Sequence, residues 1–294
     1  MKTLYLDCFS GISGNMFIGM LIQAGVPFEK FKEAMAALGL TGYDLLCRSE
    51  NKLGIQAIYY NVLLDAEQHH HHDHHHDHDH DHEHNHDHEH EHMHEHEHGH
   101  DHEHQHEEHL VDTTGHHHHH EHRGLPEITQ IIQAAPLDED IKAKSLEVFQ
   151  ALGEAEAKVH GLPIDQVHFH EVGAIDCILD IVGTLWCLKY LGIEQIASSP
   201  LHAGSGFVRC AHGIMPVPAP ATAGLLAGVP WYRTDVKGEL VTPTGAALVK
   251  VLAKKFGSQP KDFVYDTVAY GAGTKDLEIP NVLRGFIGQA PAIQ

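Results

Sequence analysis

From His69 to His122 the chain alternates imidazole with carboxylate, HHHHDHHHDHDHDHEHNHDHEHEHMHEHEHGHDHEHQHEEH and then HHHHHEH, and offers almost no large apolar side chain to bury. Ordering such a segment costs conformational entropy that burial does not offset, so the core must form without it. The sequence reads as three parts: a β-α-α-β-hairpin portion at 1–68, a disordered His/Asp/Glu-rich insertion at 69–122, and an α/β portion at 123–294 expected to pack with 1–68 as one domain. As a flexible coil the insertion has an end-to-end distance of roughly 40 Å, so its middle reaches most of the surface of a domain of this size.

Twenty-nine of the 34 histidines fall in this window, leaving five to be weighed singly. The window also takes 16 of the 41 acidic residues and no Lys or Arg, so the formal charge of −22 shrinks to −6 outside it. Without a basic footprint, nucleic acid is not an expected partner, and the acidic balance points to cations. Cys8, Cys47, Cys177, Cys187 and Cys210 are scattered and never form C-x-x-C, which fits reduced thiols in a cytoplasm. MKTLYLDCFSG has no apolar signal core, and no run of 18 apolar residues occurs, so neither export nor a membrane partner is expected.

Residues 3–9 alternate as a strand, and two glycines between Ser10 and Asn15 break it before a helix whose face is Met16, Phe17, Met20, Leu21 and Ala24. A second helix follows through Phe28, Phe31, Met35 and Leu38, then a hairpin over 43–65. Beyond the tract, LPEITQIIQAA and DEDIKAKSLEVFQALGEAEAKVHG predict two helices, the second with Ile141, Val148, Leu152, Ala155 and Val159 inward and Gly161 as its stop. VHFHEVG predicts a strand turning at Gly173 into a long apolar helix. PATAGLLAG and AALVKVLAKKF read as helices, and DFVYDTVAYGAG and NVLRGFIG as final strands. The fold class is α/β, a mixed sheet flanked by helices with the long His-rich insertion.

The densest chemistry is HFHEVGAID. On a strand His168 and His170 share a face, making half a metal site. Asp176 and Asp180 share a helical face with Asp176 in the first turn, where the dipole favours an ionised carboxylate. Imidazole with carboxylate suits Ni, Zn, Mn or Fe alike. The bland alternative makes the histidines hydrogen-bonded core groups and the aspartates a cap and a surface charge. DCFSGISGN puts Asp7 at a strand end and Ser10, Gly11, Ser13, Gly14 and Asn15 in a turn whose backbone N–H groups suit an anion, though it is no Walker A loop; the plain alternative is a turn with Ser13 as N-cap. ELVTPTG supplies Thr242 and Thr244, the latter expected to cap the next helix. His202 and His212 bracket HAGSGFVRCAHG around Arg209, a buried-looking cation suited to phosphate or carboxylate. The His tract itself reads as a weak, high-capacity metal reservoir. A metal-dependent hydrolase would need a nucleophile–base pair, and none stands at a recognisable spacing.

Taken together, LDCFSGISGNM, VHFHEVGAIDCILDIVG, HGIMPVPAPATAGLL, ELVTPTGAAL and GAGTKDLEIPNVLR run in order through nearly the whole chain and resemble the LarC-type nickel-insertion proteins. The resemblance implies a cytoplasmic nickel chelatase of the lyase class. Such a protein inserts Ni(II) into pyridinium-3,5-bisthiocarboxylic acid mononucleotide, making the nickel-pincer cofactor of lactate racemase. It also implies use of CTP with Mn(II) or Mg(II), associated with a C-terminal portion. This chain, ending at Gln294 soon after PNVLRGF, is expected to correspond to the N-terminal part, with a C-terminal fragment of the family and the lactate racemase maturation proteins as partners. On the resemblance His168, His170, Glu171, Asp176, His202 and His212 would hold nickel. Asp7, Glu171 and Asp180 would be the catalytic carboxylates. Ser10, Gly11, Ser13, Gly14, Asn15, Arg209, Thr242 and Thr244 would hold substrate or nucleotide. Cys177 stands where a small polar residue is expected, as a soft ligand or a packing group. The competing expectation is a nickel storage or metallochaperone module in which the tract does the work.

Overall fold

Apolar side chains at alternate positions of KTLYLD make β1 (Lys2–Asp7), and Leu4 and Leu6 are wholly buried. The computed structural model describes residues 1–65, 123–167, 169, 175–210 and 213–293. The His-rich insertion expected at 69–122, and the expected ligands His168, His170, Glu171 and His212, lie outside the described residues. After β1 come α1 (Gly14–Gln23), α2 (Phe28–Ala36) and the hairpin β2 (Tyr43–Lys52) and β3 (Ile55–Leu64). The next helices are α3 (Leu125–Ala134), α4 (Glu139–His160) and α5 (Ile175–Tyr190). Then follow β4 (Gln195–Ser198), β5 (Leu201–His202), β6 (Gly204–Ser205), β7 (Phe207–Cys210), β8 (Gly213–Pro216), α6 (Pro220–Leu225), β9 (Trp231–Tyr232) and β10 (Gly238–Glu239). The chain closes with α7 (Pro243–Leu252), β11 (Ala253–Phe256), β12 (Val264–Ala272) and β13 (Val282–Gln289).

Seven strands form one mixed sheet in the order β11-β4-β1-β13-β12-β3-β2. β11, β4 and β1 run parallel, as do β12 and β3, while β13 and β2 run against their neighbours. The carboxyl ends of β1, β4, β11, β12 and β3 therefore share one edge of the sheet. α1 lies on β12, β3 and β13, and α4 packs over α5, α6 and α7. Phe17, Ile18, Met20 and Leu21 of α1 meet Phe31, Tyr60, Ile178 and Leu179 in the core, and each such side chain stabilises by about 1.5–3 kcal/mol. The opposite strand face carries Tyr5, Phe286 and Tyr265 in contact, with ring centroids 6.2 and 4.9 Å apart. Among the described residues no helix is long and apolar enough to cross a membrane.

The hairpin turns on Leu53 and Gly54, whose φ values of 50° and 92° suit the tight two-residue connection that matches strand twist. α4 stops at Gly161 in the left-handed conformation, as its sequence requires. Three expectations need correction. Val159 is 45% exposed and lines a cavity beside the start of α6 rather than the core. AALVKVLAKKF is not one helix: Ala253 turns extended, and Ala253–Phe256 pairs with β4, so sheet pairing overrides helix propensity. Lys254 and Lys255 then sit exposed on an edge strand, where charge discourages further pairing. Val167 and Phe169, the described residues of the strand expected before Gly173, are buried but belong to no strand and follow a 3-10 turn at Ile164–Gln166.

β12 can approach α1 only through Gly271, where a Cβ would stand 1.8 Å from the carbonyl oxygen of Met16. Gly271→Ala should cost about 3 kcal/mol through overpacking. Thermal denaturation should show Tm lower by about 6–12 °C, and an unchanged Tm would mean the contact is slack.

Candidate functional site

The loop after β1 is stitched to the loop before α7. Ile12 N–H donates to Leu240 O at 2.9 Å, and Thr242 N–H donates to Ile12 O at 3.1 Å. Gly11, at φ 81°, makes this possible, since a Cβ there would lie 2.0 Å from Leu240 O. Gly245 is equally tight against Ile12 O, at 2.3 Å. α1 and α7 consequently begin side by side. Gly14, the first residue of α1, admits Asp180 of α5, whose Oδ2 would be 2.4 Å from a Cβ at that position.

Between these elements, at the carboxyl edge of the parallel strands where open α/β sheets bind ligands, lies a cavity of about 270 Å³. Ser13, Gly14 and Asn15 line it from α1, Asp176, Cys177 and Asp180 from α5, and Thr242 and Thr244 around the start of α7. Three motifs far apart in sequence thus meet. Asn61, Glu239 and Thr274 also line it and were not singled out from the sequence. Glu239 and Thr274 stood inside ELVTPTGAAL and GAGTKDLEIPNVLR, so their position at strand ends was the available signal. Asn61, inside a strand, gave none.

Asp180 exposes a little of its surface, yet its Oδ1 is inaccessible and has no hydrogen-bond partner among the described residues. Burial, and then the neighbouring Asp176 carboxylate, push its pKa well above the carboxylate range, against a single backbone N–H from Asn15. Burial likewise raises the Cys177 thiol, whose Sγ is 3.3 Å from Thr244 Oγ1. Asp176, exposed in the first turn of α5, faces the same space. Two neighbouring carboxyls of which one has its charged form disfavoured by burial suit a cation, whose charge would favour ionisation of both. Among the described residues no group of three or more His, Cys, Asp or Glu stands ready to hold a metal ion.

Several expected residues lie elsewhere or act differently. Ser13 occupies the N-cap position of α1 without capping it, its hydroxyl turning to Asn15 Oδ1. Thr242, not Thr244, caps α7, accepting from Gly245 N–H at 3.2 Å. Ser10 is wholly buried under the turn and Gly11 faces Leu240, so neither lines the cavity. Asp7 accepts from Arg284 Nε at 3.0 Å and from Nη2, and that guanidinium lies over Phe9 and Phe286. His202 is buried with Nδ1 2.7 Å from Phe9 O, which can only accept. Nδ1 therefore carries the proton, and Nε2 accepts from the Thr234 hydroxyl at 2.8 Å, so both ring nitrogens are engaged. Arg209, read as buried, is exposed on β7 and lines a different cavity.

Fold and cavity define a mixed α/β protein with an acidic, polar pocket at the carboxyl edge of its sheet. The chain matches the family model described as nickel insertion protein over residues 4–294, and it belongs to that family. A pyridinium-3,5-bisthiocarboxylic acid mononucleotide nickel insertion protein of Desulfitobacterium hafniense (strain DSM 10664 / DCB-2) is 43% identical, covering 98% of this chain and 59% of the relative. Proteins with the same description from Geobacillus kaustophilus and Clostridium acetobutylicum are 40% and 44% identical, covering 100% of this chain and 61% and 66% of theirs. The chain thus spans roughly three fifths of the length of these relatives. No solved structure matches it.

The raised pKa of Asp180 has a stability consequence. Unfolded, its carboxyl ionises near pH 4, while in the fold it keeps its proton to higher pH, so the stability this group allows is intact below about pH 4 and is lost as pH rises towards the folded pKa. Asp180→Asn should match wild type near pH 4 and exceed its Tm by several degrees at pH 7.5. Equal melting curves at both pH values would show that the carboxyl is not destabilised by burial.

Proposed function

We propose that this chain inserts Ni(II) into pyridinium-3,5-bisthiocarboxylic acid mononucleotide, forming the nickel-pincer cofactor of lactate racemase. The observation that carries the reading is the meeting of Ser13–Asn15, Asp176–Asp180 and Thr242–Thr244 on one cavity, in a chain of the nickel insertion family. In this reading the His tract at 69–122 is a nickel reservoir joined to the folded portions 1–68 and 123–294, which act as one domain. His168, His170, Glu171 and Asp176 hold nickel in transit, with His212 as a further donor, while His202 stays engaged by Phe9 and Thr234. Asp180 and Glu171 take up and release protons as the metal arrives and leaves, and Asp7 fixes the strand end through Arg284.

Transfer is ligand exchange. The two thiocarboxylate sulfurs displace imidazole and carboxylate from nickel, favoured because the softer sulfur donors suit a late divalent metal. Asn15, Thr242 and Thr244 orient the polar groups of the substrate in the cavity. CTP with Mn(II) or Mg(II) does not fit there: no lysine or arginine lines the cavity to meet a triphosphate, and Asp176, Asp180 and Glu239 give it the same sign as one. No step of this mechanism passes through CTP, whose place is on a separate C-terminal portion. The protein works in the cytoplasm with the lactate racemase maturation proteins.

The test mixes purified chain, nickel and the metal-free mononucleotide, with and without CTP and a C-terminal fragment, and follows the nickel-bound product by mass spectrometry. His168→Ala with His170→Ala should reduce product at least tenfold, and unimpaired insertion would reject those ligands. Deleting 69–122 should leave insertion intact with nickel in excess. Loss of function at every nickel concentration would instead favour the storage or metallochaperone role. Loading should fall below about pH 6, where imidazole protonates.

A further inference from the structure

A second cavity, of about 300 Å³, adjoins the first and shares Glu239 and Pro243 with it. Its walls are largely apolar, including Val208, Met215 and Pro220, and Arg209 stands at its side. The other arginines are committed: Arg48 to Glu50, Arg284 to Asp7, Arg233 to the Trp231 ring, and Arg123 also has a partner. Arg209 has neither a hydrogen bond nor an ion pair among the described residues. A guanidinium left uncommitted beside an apolar hollow is suited to the phosphate of a partly apolar ligand.

The first cavity is a poor seat for that phosphate. Its N-terminal turn faces Asp176 and Asp180, and the Asn15 N–H already serves Asp180. The second cavity differs in having Arg209 for an anion, beside the carboxylates of Glu156 and the shared Glu239 to face a cation. Glu156 is in addition 3.6 Å from the ring of His160. A pyridinium mononucleotide carries both signs, a cationic ring and an anionic phosphate.

We propose that the Arg209 cavity, rather than the Ser10–Asn15 turn, seats the pyridinium mononucleotide. Its phosphate lies on Arg209, its ring lies against Val208 and Met215, and its metal-binding groups face the acidic cavity across Glu239 and Pro243. The assignment rests on the insertion reading above and places its substrate. It divides the site by charge, so that metal and phosphate never compete for one compartment.

Calorimetry with nicotinic acid mononucleotide, a pyridinium mononucleotide bearing a carboxylate, tests the seat on the full chain without nickel. Wild type should bind. Arg209→Gln should weaken binding about tenfold or more, as loss of a charge-assisted contact does, with Tm unchanged because Arg209 holds nothing else. Ala219→Leu, which narrows the cavity without altering charge, should weaken it similarly at an unchanged Tm. No binding by wild type, or equal binding by both variants, overturns the proposal. In the insertion assay Arg209→Gln should raise KM for the metal-free mononucleotide. Normal insertion with an unchanged KM would sink the seat and leave the insertion reading standing. Mononucleotide binding lost in both variants, with no nickel product from wild type, would sink the insertion reading and leave the seat.

Discussion

Two backbone hydrogen bonds, from Ile12 to Leu240 and from Thr242 to Ile12, set the position of everything that lines the candidate site. They tie the turn after the first strand to a turn more than two hundred residues later, so the starts of α1 and α7 are neighbours. The approach is closer than any side chain permits, which is why glycine stands at Gly11 and Gly245. α5 completes the triangle through the contact between Gly14 and Asp180. Positive helix ends then surround the space into which Asp176 and Asp180 project, and this offsets part of the cost of gathering carboxylates there.

That arrangement trades stability for chemistry. A carboxyl oxygen with no hydrogen-bond partner in an inaccessible place is destabilising in a protein interior, and burial there raises the pKa of Asp180 well above the carboxylate range. An aspartate whose charged form burial disfavours, beside an exposed one, is suited to a cation. Asp7, by contrast, is neutralised by an arginine sandwiched between two aromatic rings, an arrangement that fixes the sheet edge. The two kinds of carboxylate look alike in sequence, since both end or begin an element beside a turn.

Much of the site was legible because Ser13–Asn15 and Thr242 stand in strand-to-helix turns with small and polar residues, and Asp176 and Asp180 share one face at the start of a helix. Ser13–Asn15, Asp176, Asp180 and Thr242 could each be picked out this way. What the segments could not reveal was their mutual contact. Arg209 read as buried because its neighbours are apolar, but those neighbours form an edge hairpin whose Phe207 and Ile214 are themselves 71% and 62% exposed. His202 looked like a candidate ligand, and only the placement of Phe9 and Thr234 shows that both its nitrogens are in use. Thr244 reads as the cap on paper, but the cap is Thr242, the residue just outside the first turn.

The sequence by itself determined the elements whose period repeats strongly: β1, the helix pair α1 and α2, the β2–β3 hairpin, and α4 with its glycine stop. It also offers, from His69 to His122, almost no large apolar side chain that a core could use. Tertiary structure alone decided that AKKF is a strand, since pairing with β4 supplies hydrogen bonds that outweigh local helix preference. It alone brought three turns to one cavity and set a second, arginine-bearing cavity against it. Periodicity records which face of an element is buried, but not what that face meets, and the meeting is fixed by backbone approaches that only glycine allows.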